Sequence, residues 1–170
     1  LTQWTGTTHA TMVYDSRSDK FTDDALFKKI KNKINIAVVG FTTDGDVFGG
    51  FYRVVVTKQD EYVNDANVFI FSFESHGRCE TPQRFVVRRE KRDKAYVRFH
   101  KGNAFGWFVD FGVDDCGWFG LGNERSDTWC LFLADAFVGI QNKTLTGKTV
   151  ESNEKKNPHH CNRLVALQLS

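Results

Sequence analysis

The sequence is short of several residue types, and each shortage excludes something. Only two prolines, Pro82 and Pro158, occur in 170 residues, which sets aside collagen-like and proline-rich low-complexity chains. The four cysteines, Cys79, Cys116, Cys130 and Cys161, include no C-x-x-C pair, so the spacing of a zinc knuckle or a redox dithiol is missing. We expect reduced thiols, a cytoplasmic or nuclear setting, and an accidental sequon at Asn142-Lys143-Thr144. Residues 1–10 have neither the basic start nor the apolar stretch of a secretory leader. No apolar run reaches the roughly 20 residues that cross a bilayer, so membrane insertion is not expected. Catalytic signatures are missing too: there is no G-x-S-x-G elbow, P-loop, H-E-x-x-H, or G-x-G-x-x-G set between a strand and a helix.

What remains is a composition of 41% hydrophobic and 26% charged residues with net charge +2. That is the balance of a soluble domain able to bury its own core. The apolar residues are biased. Val, Ile, Phe, Tyr and Trp number 46, against 19 for Leu, Ala and Met, and the first set suits a pleated, half-buried surface. Aromatic residues alone reach 14%, with 16 phenylalanines.

The small net charge conceals a division. Residues 78–98 carry eight basic side chains against three acids, whereas residues 103–139 carry six acids against one arginine. Neighbouring stretches of opposite sign are either two solvated faces or the means of orienting a partner.

One helix is legible. Thr22 is a suitable N-cap, Asp23 and Asp24 suit the first turn, and Lys28, Lys29 and Lys31 suit the last. Leu26, Phe27, Ile30 and Ile34 then form its apolar stripe. Strand patterns follow. Residues 34–41 and 47–56 flank Asp44-Gly45, the residues of a tight hairpin turn. Residues 68–73 alternate Phe69, Phe71 and Phe73 with Val68, Ile70 and Ser72. Residues 84–89 and 95–100 read as a pair joined by a charged turn at 90–94, and residues 11–14, 105–111, 129–134 and 163–169 complete the set. Six glycines between Gly102 and Gly122, interleaved with aromatics, read as bends and close packing. There is no internal repeat. Many short strands with few helices indicate an antiparallel sandwich.

Residues that could carry chemistry each have a plainer reading. Ser75-His76 are neighbours that an extended strand would turn to opposite faces, which does not suit a nucleophile and its base. His159-His160-Cys161 holds good zinc ligands, but adjacent residues need two distant partners to surround one ion. Asp44-Gly45-Asp46 and Asp114-Asp115 read as turns rather than cation loops. The aromatic stretches 68–73 and 101–108 approach the two strand motifs of RNA-recognition domains. Asn103 stands where the first stacking ring belongs, however, and no helical period separates the two stretches.

In order along the chain, several stretches resemble the TLDc domain family. They are Met12-Val13-Tyr14-Asp15-Ser16-Arg17-Ser18-Asp19 with the helix through Phe27, then Gly45-Asp46-Val47-Phe48-Gly49-Gly50-Phe51, then Asp65-Ala66-Asn67-Val68-Phe69-Ile70-Phe71-Ser72-Phe73. Phe119-Gly120-Leu121-Gly122, residues 129–135 and the closing Arg163-Leu164-Val165-Ala166-Leu167-Gln168-Leu169 continue it. Gly139-Ile140-Gln141-Asn142 and Ala166-Leu167-Gln168 depart from the family's usual Gly-x-Ser-x-x-Cys-x-Thr-Phe segment and its acidic residue before Val-Trp. The resemblance implies one α+β domain over residues 1–170, mainly an antiparallel β-sandwich of two sheets with a few flanking helices. It also implies an association with oxidative-stress protection and with binding and regulating the vacuolar proton-pumping ATPase. It supplies no active site, cofactor or metal to carry over.

We therefore expect a non-enzymatic protein-interaction domain. The candidate partner- or anion-binding surface is Arg84, Arg88, Arg89, Lys91, Arg92 and Lys94, with Trp107 and Trp118 as aromatic anchors. The alternatives are a nucleic-acid or polyanion binder acting through segment 78–98, and an unrecognised hydrolase.

Overall fold

Along the chain of the computed structural model, which describes residues 1–103, 106–123, 130–147 and 160–170, the elements begin with a short helix α1 (Thr2–Thr5), strand β1 (Ala10–Asp15) and helix α2 (Asp23–Ile30). Strands β2 (Ile36–Thr42), β3 (Val47–Tyr52), β4 (Val63–Asn64), β5 (Phe69–Glu74) and β6 (Gln83–Val86) follow, then a 3-10 segment (Arg89–Lys94). The rest are β7 (Ala95–Phe99), β8 (Trp107–Val113), β9 (Gly117–Gly122), β10 (Cys130–Leu131), α3 (Leu133–Ala136) and β11 (Cys161–Leu169). The strands make two sheets in the orders β1-β11-β2-β3-β5-β6 and β10-β9-β8-β7-β4. Every pairing is antiparallel. The expected α+β sandwich is what forms.

Local chemistry accounts for the first elements. The Thr22 hydroxyl accepts the Ala25 N–H at 3.2 Å, satisfying one of the donors that a helix start leaves unpaired. The helix stops at Ile30, one turn short of the expected stripe, because Asn32 and Asn35 turn the backbone left-handed at φ 62° and 56°. Ile34 is consequently exposed rather than on the stripe. In the β2–β3 hairpin Gly45 has φ 91°, as its turn requires.

The alternation within the first sheet explains why its strands read as nearly continuous apolar runs. Ile36, Val38, Phe48, Tyr52 and Ile70 face Val97, Val109, Phe111, Phe119 and Leu121 of the second sheet in one shared core. Gly50 leaves the space that Phe111 fills, since a Cβ there would sit 2.4 Å from the ring. Ala37, Val39, Phe51, Phe69, Phe71 and Leu169 point the other way and form a second cluster. Helix α1 covers it, laying Trp4 at 6.3, 6.1 and 5.9 Å from the rings of Phe69, Phe71 and Phe73.

Several expected boundaries shift. Strand β3 ends at Tyr52 rather than at residue 56. Residues 84–89 and 95–100 do not pair with each other: β6 joins β5 in the first sheet, while β7 joins β8 and β4 in the second. The charged stretch between them is a crossover, and the 3-10 segment redirects the chain from one sheet to the other. The strand expected at 129–134 is cut to Cys130–Leu131 before α3 begins, because Phe132 adopts φ 48° and ψ 37°. Residues 105 and 129 of the expected strands lie outside the described residues. The glycine-aromatic stretch, expected to be bends, contains strand β9 between β8 and β10.

Candidate docking surfaces

The basic stretch does not form one face. Arg84, on β6, projects from the outer side of the first sheet. Its guanidinium donates to the carbonyl of Trp4 and stands 5.9 Å from the Phe69 ring centre. Arg88 turns inward and donates twice to the Ala134 carbonyl, at 3.2 and 2.8 Å. Lys91 donates to the Asp135 carbonyl and reaches the Cys116 sulfur, both at 2.8 Å. Arg88 and Lys91 thus fasten the crossover to α3 and to the β8–β9 turn, where the Asp114 N–H also bonds the Lys94 carbonyl. Arg89, Arg92 and Lys94 remain on the surface. The basic and acidic stretches of the sequence therefore meet through the main-chain carbonyls of Ala134 and Asp135 and the Cys116 sulfur.

Arg84 and Arg92 come together with a residue from far along the chain. A cavity of about 160 Å³ is lined by Trp4, Arg53, Asn67, Phe69, Arg84 and Arg92 among others. Two of its lining residues, Arg53 and Asn67, are held by Asp65, which is 3% exposed. The Asp65 carboxylate accepts the Arg53 main-chain N–H at 2.5 Å and both the main-chain and side-chain N–H of Asn67, at 2.8 and 3.2 Å. Arg53 in turn donates from Nη2 to the Thr5 carbonyl at 3.0 Å. Trp4, Arg53 and Asn67 carry no sequence signal that sets them beside Arg84, since strand pairing alone brings them there.

Trp107 and Trp118 lie elsewhere, on the outer side of the second sheet. Their rings meet at 5.2 Å and 65°, and both are half-buried. The glycines of this stretch make room for them. A Cβ at Gly112 would come 2.4 Å from that of Trp118, whereas one at Gly120 would crowd Asp110 Oδ1 at 2.8 Å and merely touch the two indoles at 3.5 and 3.8 Å. Beneath them Asp110 meets His100 with Oδ2 and Nε2 2.5 Å apart, and the His100 ring stands 6.1 Å from Trp107. Burial pushes the Asp110 carboxyl up from its ordinary range against the opposing pull of His100. On the same face Arg98 stacks 4.8 Å from the Tyr62 ring centre, and Tyr62 meets Tyr96 at 4.7 Å. The sequence reading singled out the tryptophans but missed the His100–Asp110 pair, which lies ten residues apart on neighbouring strands.

The groups weighed for catalysis or metal binding have structural partners. Ser75 is buried and its hydroxyl accepts the Cys79 N–H at 2.8 Å. His76 Nδ1 lies 2.9 Å from Asp46, and Arg78 donates to the same Asp46 oxygen at 2.5 Å and to the carbonyls of Thr144 and Leu145 at 3.0 and 2.9 Å. Asp46 is thereby a clasp between the β2–β3 turn, the β5–β6 loop and residues 144–145. Cys130 is buried and its thiol is pushed up to about 12. Among the described residues no group of three or more His, Cys, Asp or Glu side chains is placed to hold a metal ion. His159, of the triplet considered for zinc, lies outside them.

Sheet order, register and the doubly covered first sheet define a two-sheet antiparallel α+β sandwich, with helices at its margin. The sequence profile of the TLDc domain matches residues 1–119, the span from α1 into β9, and the chain belongs to the TLDc domain family. No curated protein matches the chain. The match ends before the stretches at 139–142 and 166–168 that depart from the family pattern, yet β11 still seats itself between β1 and β2, with register irregularities at Met12–Tyr14 and Cys161–Arg163.

Proposed function

We propose that this TLDc domain is a non-enzymatic docking module, and that its partner is a subunit of the vacuolar proton-pumping ATPase, through which it contributes to oxidative-stress protection. Family membership supports the choice of partner. The observation that carries docking is the Trp107–Trp118 pair: two large rings held half-exposed on a glycine-cleared strand face. Aromatic anchors of this kind supply a disproportionate share of interface energy when a partner covers them. Arg98 beside them, stacked on Tyr62, adds a charge that can orient the encounter. A protein partner is favoured over nucleic acid because Arg88 and Lys91 of the basic segment are turned toward main-chain carbonyls.

The test is direct binding of the purified domain to immobilised proton pump, with Trp107→Ala/Trp118→Ala beside the unchanged protein. The double variant should weaken binding by roughly a hundredfold, as loss of two anchors implies, and should fail to restore peroxide resistance in cells lacking the protein. Absence of pump binding by the unchanged domain, or equal binding by the double variant with an unaltered melting temperature, would overturn this reading. So would a salt-sensitive shift of single- or double-stranded nucleic acid that exceeds any pump affinity.

A further inference from the structure

The cavity beside Trp4 is not needed for docking through the other face, and its chemistry is specific. Three arginines line it from separate parts of the fold: Arg53 just after β3, Arg84 on β6 and Arg92 in the 3-10 segment. None of the three is in an ion pair with a carboxylate among the described residues, whereas Arg78, Arg98 and Arg163 each are. The acid closest in the network, Asp65, already accepts three N–H groups. Arg53 and Arg84 each hold a main-chain carbonyl of α1, which fixes their direction and leaves other donors of each planar fork unused. The Arg92 side chain has no hydrogen-bond partner among the described residues. The Asn67 side chain and the Trp4 ring complete the wall.

We propose that this cavity is an oxyanion pocket that takes a phosphomonoester group. A carboxylate presents two oxygens and is satisfied by one bidentate arginine. A phosphomonoester presents three terminal oxygens with about two charges, which matches three forks arriving from different directions. The volume of about 160 Å³ admits such a group. The rings of Trp4 and Phe69 at the wall suit the apolar stem that carries it. This inference stands on residues other than the tryptophan pair, so it survives or fails independently of the proton-pump reading.

The experiment is titration of the intact protein with inorganic phosphate, O-phosphoserine and a phosphoserine peptide, followed by nuclear magnetic resonance of the Trp4 indole N–H and by calorimetry. Saturable shifts of Trp4 are expected, with sulfate competing. Arg92→Gln, which disturbs no internal hydrogen bond, should weaken binding roughly tenfold, and Arg89→Gln, an equal loss of charge outside the cavity, by less than about twofold. Arg84→Lys keeps the charge but removes the fork, and should also weaken binding while the fold stays intact by circular dichroism. A peptide that binds more tightly than free phosphate identifies a protein-borne ligand, and equal affinities identify a small phosphorylated molecule. No saturable shift up to about 20 mM phosphate, or equal effects of Arg92→Gln and Arg89→Gln, would overturn the pocket.

Discussion

The outer faces of the two sheets are built from similar aromatic counts and do opposite things with them. On the first sheet Phe51, Phe69 and Phe71 are fully packed, and a four-residue helix places Trp4 over them. On the second sheet Trp107 and Trp118 lie over glycines and a buried His100–Asp110 pair, and both are half-buried. The first face is a core that happens to lie outside the sandwich. The second is a surface on which polar groups have been buried beneath rings. Aromatic content alone does not separate these roles; what covers each ring does.

The contrast extends to charge. Arg163 beside Asp15 ties β11 to β1, with contacts of 2.6 and 3.0 Å, and holds the Asp15 carboxyl below the usual range. Asp110 is displaced in the other direction because burial outweighs its partner. The two acids therefore give opposite pH dependence. A depressed carboxyl stabilises above its unfolded value and loses that contribution as pH falls through the folded one. A raised carboxyl costs stability as pH climbs from the unfolded value toward the folded one.

Five substitutions press on this comparison, from the largest expected effect to the smallest. Phe71→Ala on the first face should destabilise by about 4 kcal/mol in urea unfolding, as for any fully buried phenylalanine. A loss below about 1 kcal/mol would mean that this face is not a core. His100→Ala leaves Asp110 buried without its partner and should cost about 3 kcal/mol at pH 8. The cost should shrink as pH falls, because the carboxyl, raised further once its partner is gone, takes up its proton more readily. A loss that grows toward acid would reverse the sign argued for that site. Trp4→Ala should cost about 2 kcal/mol and increase binding of a hydrophobic dye, by uncovering Phe69, Phe71 and Phe73. Arg163→Gln should lower stability by only about 1 kcal/mol near neutrality, since the pair is partly exposed. The difference from the unchanged protein should vanish in strong acid, where Asp15 is protonated in both. On the second face Trp118→Ala should move the melting temperature least of all, and an effect matching that of Phe71→Ala would erase the distinction between the faces.

Much of the fold was legible because its signals are local. The Thr22 cap, the Asp44-Gly45 turn and the strand patterns at 34–41 and 68–73 fix α2, the first hairpin and the strands β2 and β5, whatever lies beyond them. The Arg84–Arg98 stretch was misread for a matching reason. Two short strands around a charged turn look like a hairpin, and only competition among all available edges sends β6 to β5 and β7 to β8. Strand β9 was hidden by glycines that admit close neighbours, Gly117 the Phe132 carbonyl and Gly120 the Asp110 carboxylate, contacts that exist only once the chain around β10 and β8 lies beside it.

The candidate surfaces follow the same rule. The residues Arg84, Arg92, Trp107 and Trp118 could be picked from the sequence by charge and size. That the two arginines share a cavity with Arg53, while the two tryptophans occupy the far side of the sandwich, could not. The sequence by itself determined an aromatic, antiparallel domain with one capped helix, because hydrophobic period and turn chemistry act over a few residues. Which charges meet, and which rings remain open to a partner, was decided only by the tertiary structure. Pairing across the sheets brings together groups 30 to 40 residues apart, Arg53 with Arg84 and Arg92 among them, and no local preference encodes that distance.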